Sequence, residues 1–346
     1  MKKILLILPA IALLFLSGNH FEINAKEPVP VIFDTDMGND VDDALALAIL
    51  HAFHKRGECD LLGITITKDN RYVSPYLKMI NRFYGHGDIP VGSIKSGIET
   101  HTGPYIQSVL EAKDANGKLL YADFDVSADK TVYMDSCKLL RKLLAGAKGK
   151  VVVVQVGFST NLARLLDTKA DEFSPLSGKD LMKEKVEYVC AMAGGFGPKY
   201  GKHKEYNIVK DIPAAQKLFA ESPVPILCSG FEVGMQILYP GISMINDYNY
   251  VANHPVKESF RLYRKGFDKT TPTWDLTCVL QAVRPNRGYF GFSEPGTITV
   301  KDDGTTVFEK DAKGLHRLFT VNERQVEKVL ESFIDLASEP PKGIGR

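Results

Sequence analysis

An α/β fold is predicted: one large domain around a mainly parallel, mixed central sheet flanked by helices, with a Rossmann-like core. Three observations lead there. Short apolar runs typical of buried strands recur at residues 31–33, 61–67, 151–156, 186–192 and 224–228, and helical segments separate them. Strands alternating with helices pair in parallel, and such sheets are covered on both faces. No Pro/Gly/Ser-rich linker and no repeat interrupts the chain after its leader, so residues 26–346 are expected to form a single domain.

The leader comes first. Lys2 and Lys3 precede an apolar run over residues 4–16, and a polar stretch follows to Ala25. This is the pattern of a secretory signal peptide over residues 1–25, too short for a comfortable membrane span. It predicts a secreted or periplasmic protein with no stable membrane insertion once the leader is removed. Lys and Arg number 43 against 42 Asp and Glu, a formal net charge of +1; a near-neutral chain gives no reason to expect nucleic acid. The odd set Cys59, Cys137, Cys190, Cys228 and Cys278 lacks metal-ligand spacing and sits mostly in apolar surroundings, which predicts buried free thiols.

The first predicted strand runs into the densest chemistry in the chain. Residues 31–50 read VIFDTDMGNDVDDALALAIL, with Asp34, Asp36, Asp40, Asp42 and Asp43 between an apolar strand and an apolar helix. Asp40 suits a helix N-cap, with Asp42 and Asp43 in the first turn, where free N–H groups and the helix dipole favour negative charge. That accounts for three acids. Asp34 and Asp36 enter the same small volume, and carboxylates this close raise one another's pKa unless a cation sits among them. Only oxygen ligands are offered, so a hard cation is indicated, Ca²⁺ or Mg²⁺. An EF-hand loop needs Gly at its sixth position and Glu at its twelfth; counted from Asp34, Gly38 is fifth and Leu45 twelfth. A haloacid-dehalogenase-type Mg²⁺ phosphatase would use Asp34 as nucleophile and Asp36 as acid, but has no use for three further carboxylates.

Ligands of parallel sheets bind beyond the carboxyl ends of the strands. Thr67-Lys68-Asp69-Asn70 follows the second run, Gly157 to Asn161 the third, and Ala193-Gly194-Gly195 the fourth. Beyond the last lies Lys204-Glu205-Tyr206-Asn207, and Trp274-Asp275 opens an apolar helix at 276–283. Taken singly, Asn70 reads as turn chemistry and Asn161 and Asp275 as helix caps. Their joint placement after strands and at helix starts points to one site.

Asp34-Thr-Asp-Met-Gly-Asn-Asp-Val-Asp-Asp-Ala-Leu-Ala resembles the signature of the inosine-uridine preferring nucleoside hydrolase family. The later segments agree in order, so the resemblance covers nearly the whole chain after the leader. It implies a nucleoside-hydrolase-like fold, one Ca²⁺ per chain, and hydrolysis of the N-glycosidic bond of ribonucleosides, a glycosidase reaction of purine and pyrimidine salvage. By resemblance, Asp36, Asp43, Asp275 and the backbone carbonyl of Val156 are metal ligands. Asp36 is also the general base toward a water, and Asp42, Asn70, Glu205 and Asn207 hold the ribose hydroxyls. Two departures stand out. Asn39 and Asp40 are additional to the shorter form of the motif, so Asp40 shares the role given to Asp42. Trp274 occupies the position at which many members carry the His that protonates the leaving base; its ring stacks on a base but donates no such proton. His101 is the substitute acid, with Tyr200, His203 and Tyr206 as further candidates. The expected partner is a small riboside, in a chain that forms a homodimer or homotetramer. The other readings are a non-catalytic or slow riboside-binding protein on the same fold, and the Mg²⁺ phosphatase.

Overall fold

The computed structural model describes residues 27–124 and 132–344; the expected signal peptide at 1–25 lies outside them. Among these residues the central sheet has nine strands: β1 Val29–Thr35, β2 Cys59–Ile66, β3 Val151–Gln155, β4 Val186–Met192, β5 Ile226–Ser229, β6 Gly291–Phe292, β7 Gly296–Val300, β8 Thr306–Lys310 and β9 His316–Thr320. Its order is β8-β7-β9-β5-β4-β3-β1-β2, with β6 added to β9. Every pairing from β2 across to β9 along the main path is parallel, while β7 with β8, β7 with β9 and β6 with β9 are antiparallel. The fold is therefore a single α/β domain with a mostly parallel, mixed sheet.

All five expected strands occur. β1, β3 and β4 are almost wholly buried because both faces carry helices, which is why their sequences are continuous apolar runs rather than alternating ones. The antiparallel edge from 291 to 320 left no such run: β7 alternates buried and exposed residues, the pattern of a strand covered on one face.

Two apolar cores fill the two faces. One is centred on helix α1 (Asp42–Lys55), helix α2 (Trp274–Val283) and the C-terminal helix α3 (Glu323–Ala337), the other on residues such as Leu140, Leu162, Leu165, Leu218 and Ile226. Helices α1 and α2 pack directly on each other. In α1, Leu45, Leu47, Ile49, Leu50 and Phe53 are completely buried, and truncating one such Leu to Ala costs about 2–5 kcal/mol. This packing holds two carboxylate-bearing helix starts, at Asp42-Asp43 and at Asp275, against the ends of β1 and β3.

Asp40 is not the N-cap of α1. Val41 takes that position without a side-chain cap, its carbonyl accepting from the N–H groups of Ala44 and Leu45. The turn before it passes through Gly38 at φ 112°, a conformation other residues rarely adopt, and this turn directs Asp40 toward the cavity beyond the strand ends.

Candidate active site

A cavity of about 300 Å³ opens beyond the carboxyl ends of the parallel strands, lined by Asp36, Asn39, Asp40, Val156, Met192, His203 to Asn207, Phe231, Trp274 and Asp275. β1 delivers Asp36, β3 delivers Val156, β4 delivers Met192, and the first turn of α2 delivers Trp274 and Asp275. The strand ends come this close because residue 157 is Gly: a Cβ there would lie 2.4 Å from Thr67 Oγ1 and 2.6 Å from the Asp36 nitrogen.

The floor is a cluster of carboxylates removed from water. Asp34, Asp36, Asp42, Asp43 and Asp275 are all buried, and Asp40 half-buried. Burial pushes the Asp36 carboxyl up to about 7, reinforced by the charge of Asp40. Asp42, Asp43 and Asp275 are raised well above the ordinary carboxylate range by burial first and then by neighbouring carboxylates, chiefly Asp40 for Asp42, Asp36 for Asp43 and Asp42 for Asp275. Several oxygens are held: Thr35 Oγ1 donates to Asp43 Oδ1, the Asp275 N–H donates to Asp42 Oδ2 at 3.0 Å, and Asn39 Nδ2 donates to Asp36 Oδ2. Others are buried with no hydrogen-bond partner among the described residues, namely Asp34 Oδ2, Asp42 Oδ1 and Asp43 Oδ2. Buried orphan oxygens among like charges cost free energy that a hard cation offsets by coordinating them. The residues present thus fit a divalent cation with oxygen ligands.

Among the described residues, one group of three acidic, His or Cys side chains converges with ligand atoms within 4.8 Å of one another: Asp40, Asp42 and Asp275. It shares only Asp275 with the expected ligands Asp36, Asp43, Val156 and Asp275. Asp36 and the Val156 residue line the same cavity. Asp43 is completely buried, its charge acting on Asp275.

Glu205 and Asn207 reach the cavity and also hold its wall. Glu205 caps a short helix at Tyr206–Lys210, accepting from the N–H groups of Asn207 at 2.8 Å and Ile208 at 3.2 Å, and it accepts from Gly194 N–H at 3.0 Å. Burial pushes its carboxyl up to about 7. Asn207 Nδ2 donates to the carbonyls of Val156 at 2.7 Å and Met192 at 3.1 Å, leaving its Oδ1 as the acceptor not used in these bonds. The opposite wall is aromatic. Trp274 stacks on Phe231 with ring centroids 5.3 Å apart, and His203 packs on Phe231 at 4.0 Å. The Trp274 indole N–H donates to the Phe231 carbonyl at 3.0 Å, so the ring is fixed and its polar edge occupied.

Four expected residues are not in the lining: Asp42 and Asp43, which are buried, and Asn70 and His101. Asn70 donates to Thr100 O at 2.8 Å and Thr102 Oγ1 at 3.1 Å and accepts from Tyr72 N–H, a turn-holding role. His101 is exposed on the neighbouring loop, its Nδ1 accepting from Gly103 N–H. Asp34 is completely buried, its Oδ1 accepting from Thr65 at 2.6 Å and Asn161 at 2.7 Å; it joins β1 to its neighbours and is not presented as a nucleophile. Conversely, Phe231 and Lys68 carry weight that the sequence reading did not assign them. Phe231 follows β5 by two residues, where the rule of strand ends would have found it.

A family model described as Inosine-uridine preferring nucleoside hydrolase matches residues 31–332. The pyrimidine-specific ribonucleoside hydrolase RihA of Citrobacter koseri is 27% identical over 214 residues, covering 59% of this chain and 61% of that protein. The chain thus aligns with less than two thirds of the length of the curated relatives it matches. Among solved structures, the purine-preferring ribonucleoside hydrolase from Gardnerella vaginalis superposes with a TM-score of 0.67 at 19% identity, covering 89% of this chain and 98% of that one. The type III effector protein XopQ, complexed with adenosine diphosphate ribose, has a TM-score of 0.63 at 16% identity over 91% and 94% of the two chains. At these identities the superpositions establish the fold.

Proposed function

Because the chain belongs to the inosine-uridine preferring nucleoside hydrolase family, with residues 31–332 matched, we propose that it is a Ca²⁺-dependent N-ribohydrolase. It cleaves the N-glycosidic bond of a ribonucleoside or related riboside and releases ribose and the base. The observation that carries this reading is the arrangement of the cavity: buried carboxylates with orphan oxygens at the floor, Glu205 and Asn207 at one side, and a fixed aromatic wall at the other.

Asp36, Asp42, Asp43, Asp275 and the Val156 carbonyl would hold the cation, with Asp40 beside them. When bound, the ion supplies the charge that acidifies a water and keeps the carboxylates ionised. Asp36 accepts the proton of that water, with Asn39 fixing one of its oxygens and leaving the other available. Asp40, Asp42, Glu205 and Asn207 take the ribose hydroxyls, each hydroxyl being both donor and acceptor. The buried carboxylates also favour the oxocarbenium-like transition state electrostatically. Trp274 and Phe231 provide the face on which the base stacks. For the leaving-group proton, His203, which lines the cavity, takes the place given from sequence to His101. Secretion or a periplasmic location, a role in purine and pyrimidine salvage, and a homodimer or homotetramer belong to the same proposal. Among the described residues no helix is long and apolar enough to cross a membrane.

The test is incubation with a panel of purine and pyrimidine nucleosides, activated ribosides and sugar phosphates, with and without EDTA. Ribose release abolished by chelation is expected; riboside binding without turnover would leave a binding protein, and phosphate release would overturn the assignment.

A further inference from the structure

Lys68 follows the end of β2, and its side chain is completely buried. An ammonium withdrawn from water needs acceptors or counter-charges. It donates to Asn39 Oδ1 at 2.5 Å, and its charge faces Asp36, Asp43, Glu99 and Asp40. Asn39 in turn donates through Nδ2 to Asp36 Oδ2. The direction of this chain is forced. An ammonium only donates, so the amide must turn its oxygen to Lys68 and its NH₂ to Asp36. Asp36 is thereby held with Oδ2 engaged, while an unanchored carboxylate would exchange its two oxygens.

Building on the hydrolytic reading of the site, we infer that Lys68 is a positioning residue, a permanent counter-cation of the carboxylate cluster that orients Asp36 through the Asn39 amide. The arrangement separates two effects. Lys68 repels the divalent cation electrostatically, yet it aligns the carboxylate that accepts the proton. Removing it therefore tightens the ion and slows the chemistry. A merely structural lysine would weaken both together.

The experiment measures Ca²⁺ affinity by chelator competition, and kcat and KM for ribose release, in the wild type, Lys68→Met, Asn39→Ala and the double variant. Lys68→Met is expected to bind Ca²⁺ on the order of tenfold more tightly, from the lost like-charge repulsion. Its kcat should fall about 10–100-fold, the usual cost of removing a partner that orients a ligand, with KM little changed. Asn39→Ala keeps the ammonium and should lose a similar factor in kcat at unchanged Ca²⁺ affinity. The double variant should be no slower than the slower single one, since both cut the same link. Weaker Ca²⁺ binding in parallel with lower kcat, or wild-type kcat in either single variant, would overturn the inference. If Lys68→Met does not fold, Asn39→Ala decides on kcat alone. A wild type that releases no ribose would defeat the hydrolytic reading instead, and the Ca²⁺ arm would still test the charge of Lys68.

Discussion

Calcium should stabilise this protein more at pH 8 than at pH 5.5, and the buried Asp36 gives a lower bound to the effect. Its carboxyl rises from 3.8 to about 7, chiefly through burial. Between those values the folded, cation-free protein keeps a proton that the unfolded chain has lost. Stability then falls as pH rises, by about 1.4 kcal/mol per pH unit until the folded pKa is passed. From pH 5.5 to about 7 that is roughly 2 kcal/mol from Asp36 alone. In the calcium-loaded protein Asp36 is already ionised in the folded state, so the loss disappears. Groups that do not face the ion contribute equally with and without it, including His254, lowered by burial to about 3, and His316, lowered to about 4. The quantity to measure is therefore the difference in Tm between calcium and EDTA at each pH, by differential scanning calorimetry. At about 2 °C per kcal/mol for a chain of this size, Asp36 alone should widen the difference by roughly 4 °C between pH 5.5 and 8. Equal increments at the two pH values, or a larger one at pH 5.5, would refute the argument that the floor carboxylates are proton-bearing until a cation displaces the protons.

Three further outcomes follow from the same geometry. Asp275→Ala removes the one residue common to the converging trio and the expected ligand set, so metal analysis should find its calcium lost; a full complement would displace the site. Gly234→Ala places a Cβ 2.4 Å from Trp274 Cδ1 and 2.6 Å from its Cα, which must shift the start of α2; calcium affinity should drop through the displacement of Asp275, and unchanged affinity would show that the helix start tolerates displacement. His203→Ala should slow inosine or uridine cleavage about 10²–10⁴-fold if it is the leaving-group acid while sparing p-nitrophenyl riboside, with His101→Ala nearly silent on both. The reverse pattern would return the role to His101.

Most of the sheet was legible because parallel strands buried on both faces cannot hide their composition: 151–155 is four valines and a glutamine. The acid cluster was legible for a similar reason, five carboxylates having no ordinary use at a strand-to-helix junction. Directions of side chains were not. Asp40 suited a cap by residue type, but the positive φ of Gly38 turned it to the cavity and left Val41 at the cap. In the segment after β2, Asn70 was singled out, whereas Lys68 is the residue directed inward, because Asn70 is engaged by Thr100 and Thr102 from across the loop and by the Tyr72 N–H of its own turn. His101 resembled an acid by type and neighbours, and only the path of its loop places it on the surface. Contacts made across 30 or more residues of chain leave no mark in local spacing.

The most direct test of the account is stoichiometric reconstitution. The protein is stripped with chelator, titrated with Ca²⁺, and assayed at each addition for bound ion and for ribose released from the best substrate of the panel. Activity absent at zero calcium, rising in proportion to bound ion and saturating at one ion per chain, is predicted; ribose release at the full rate from the calcium-free protein would contradict the account.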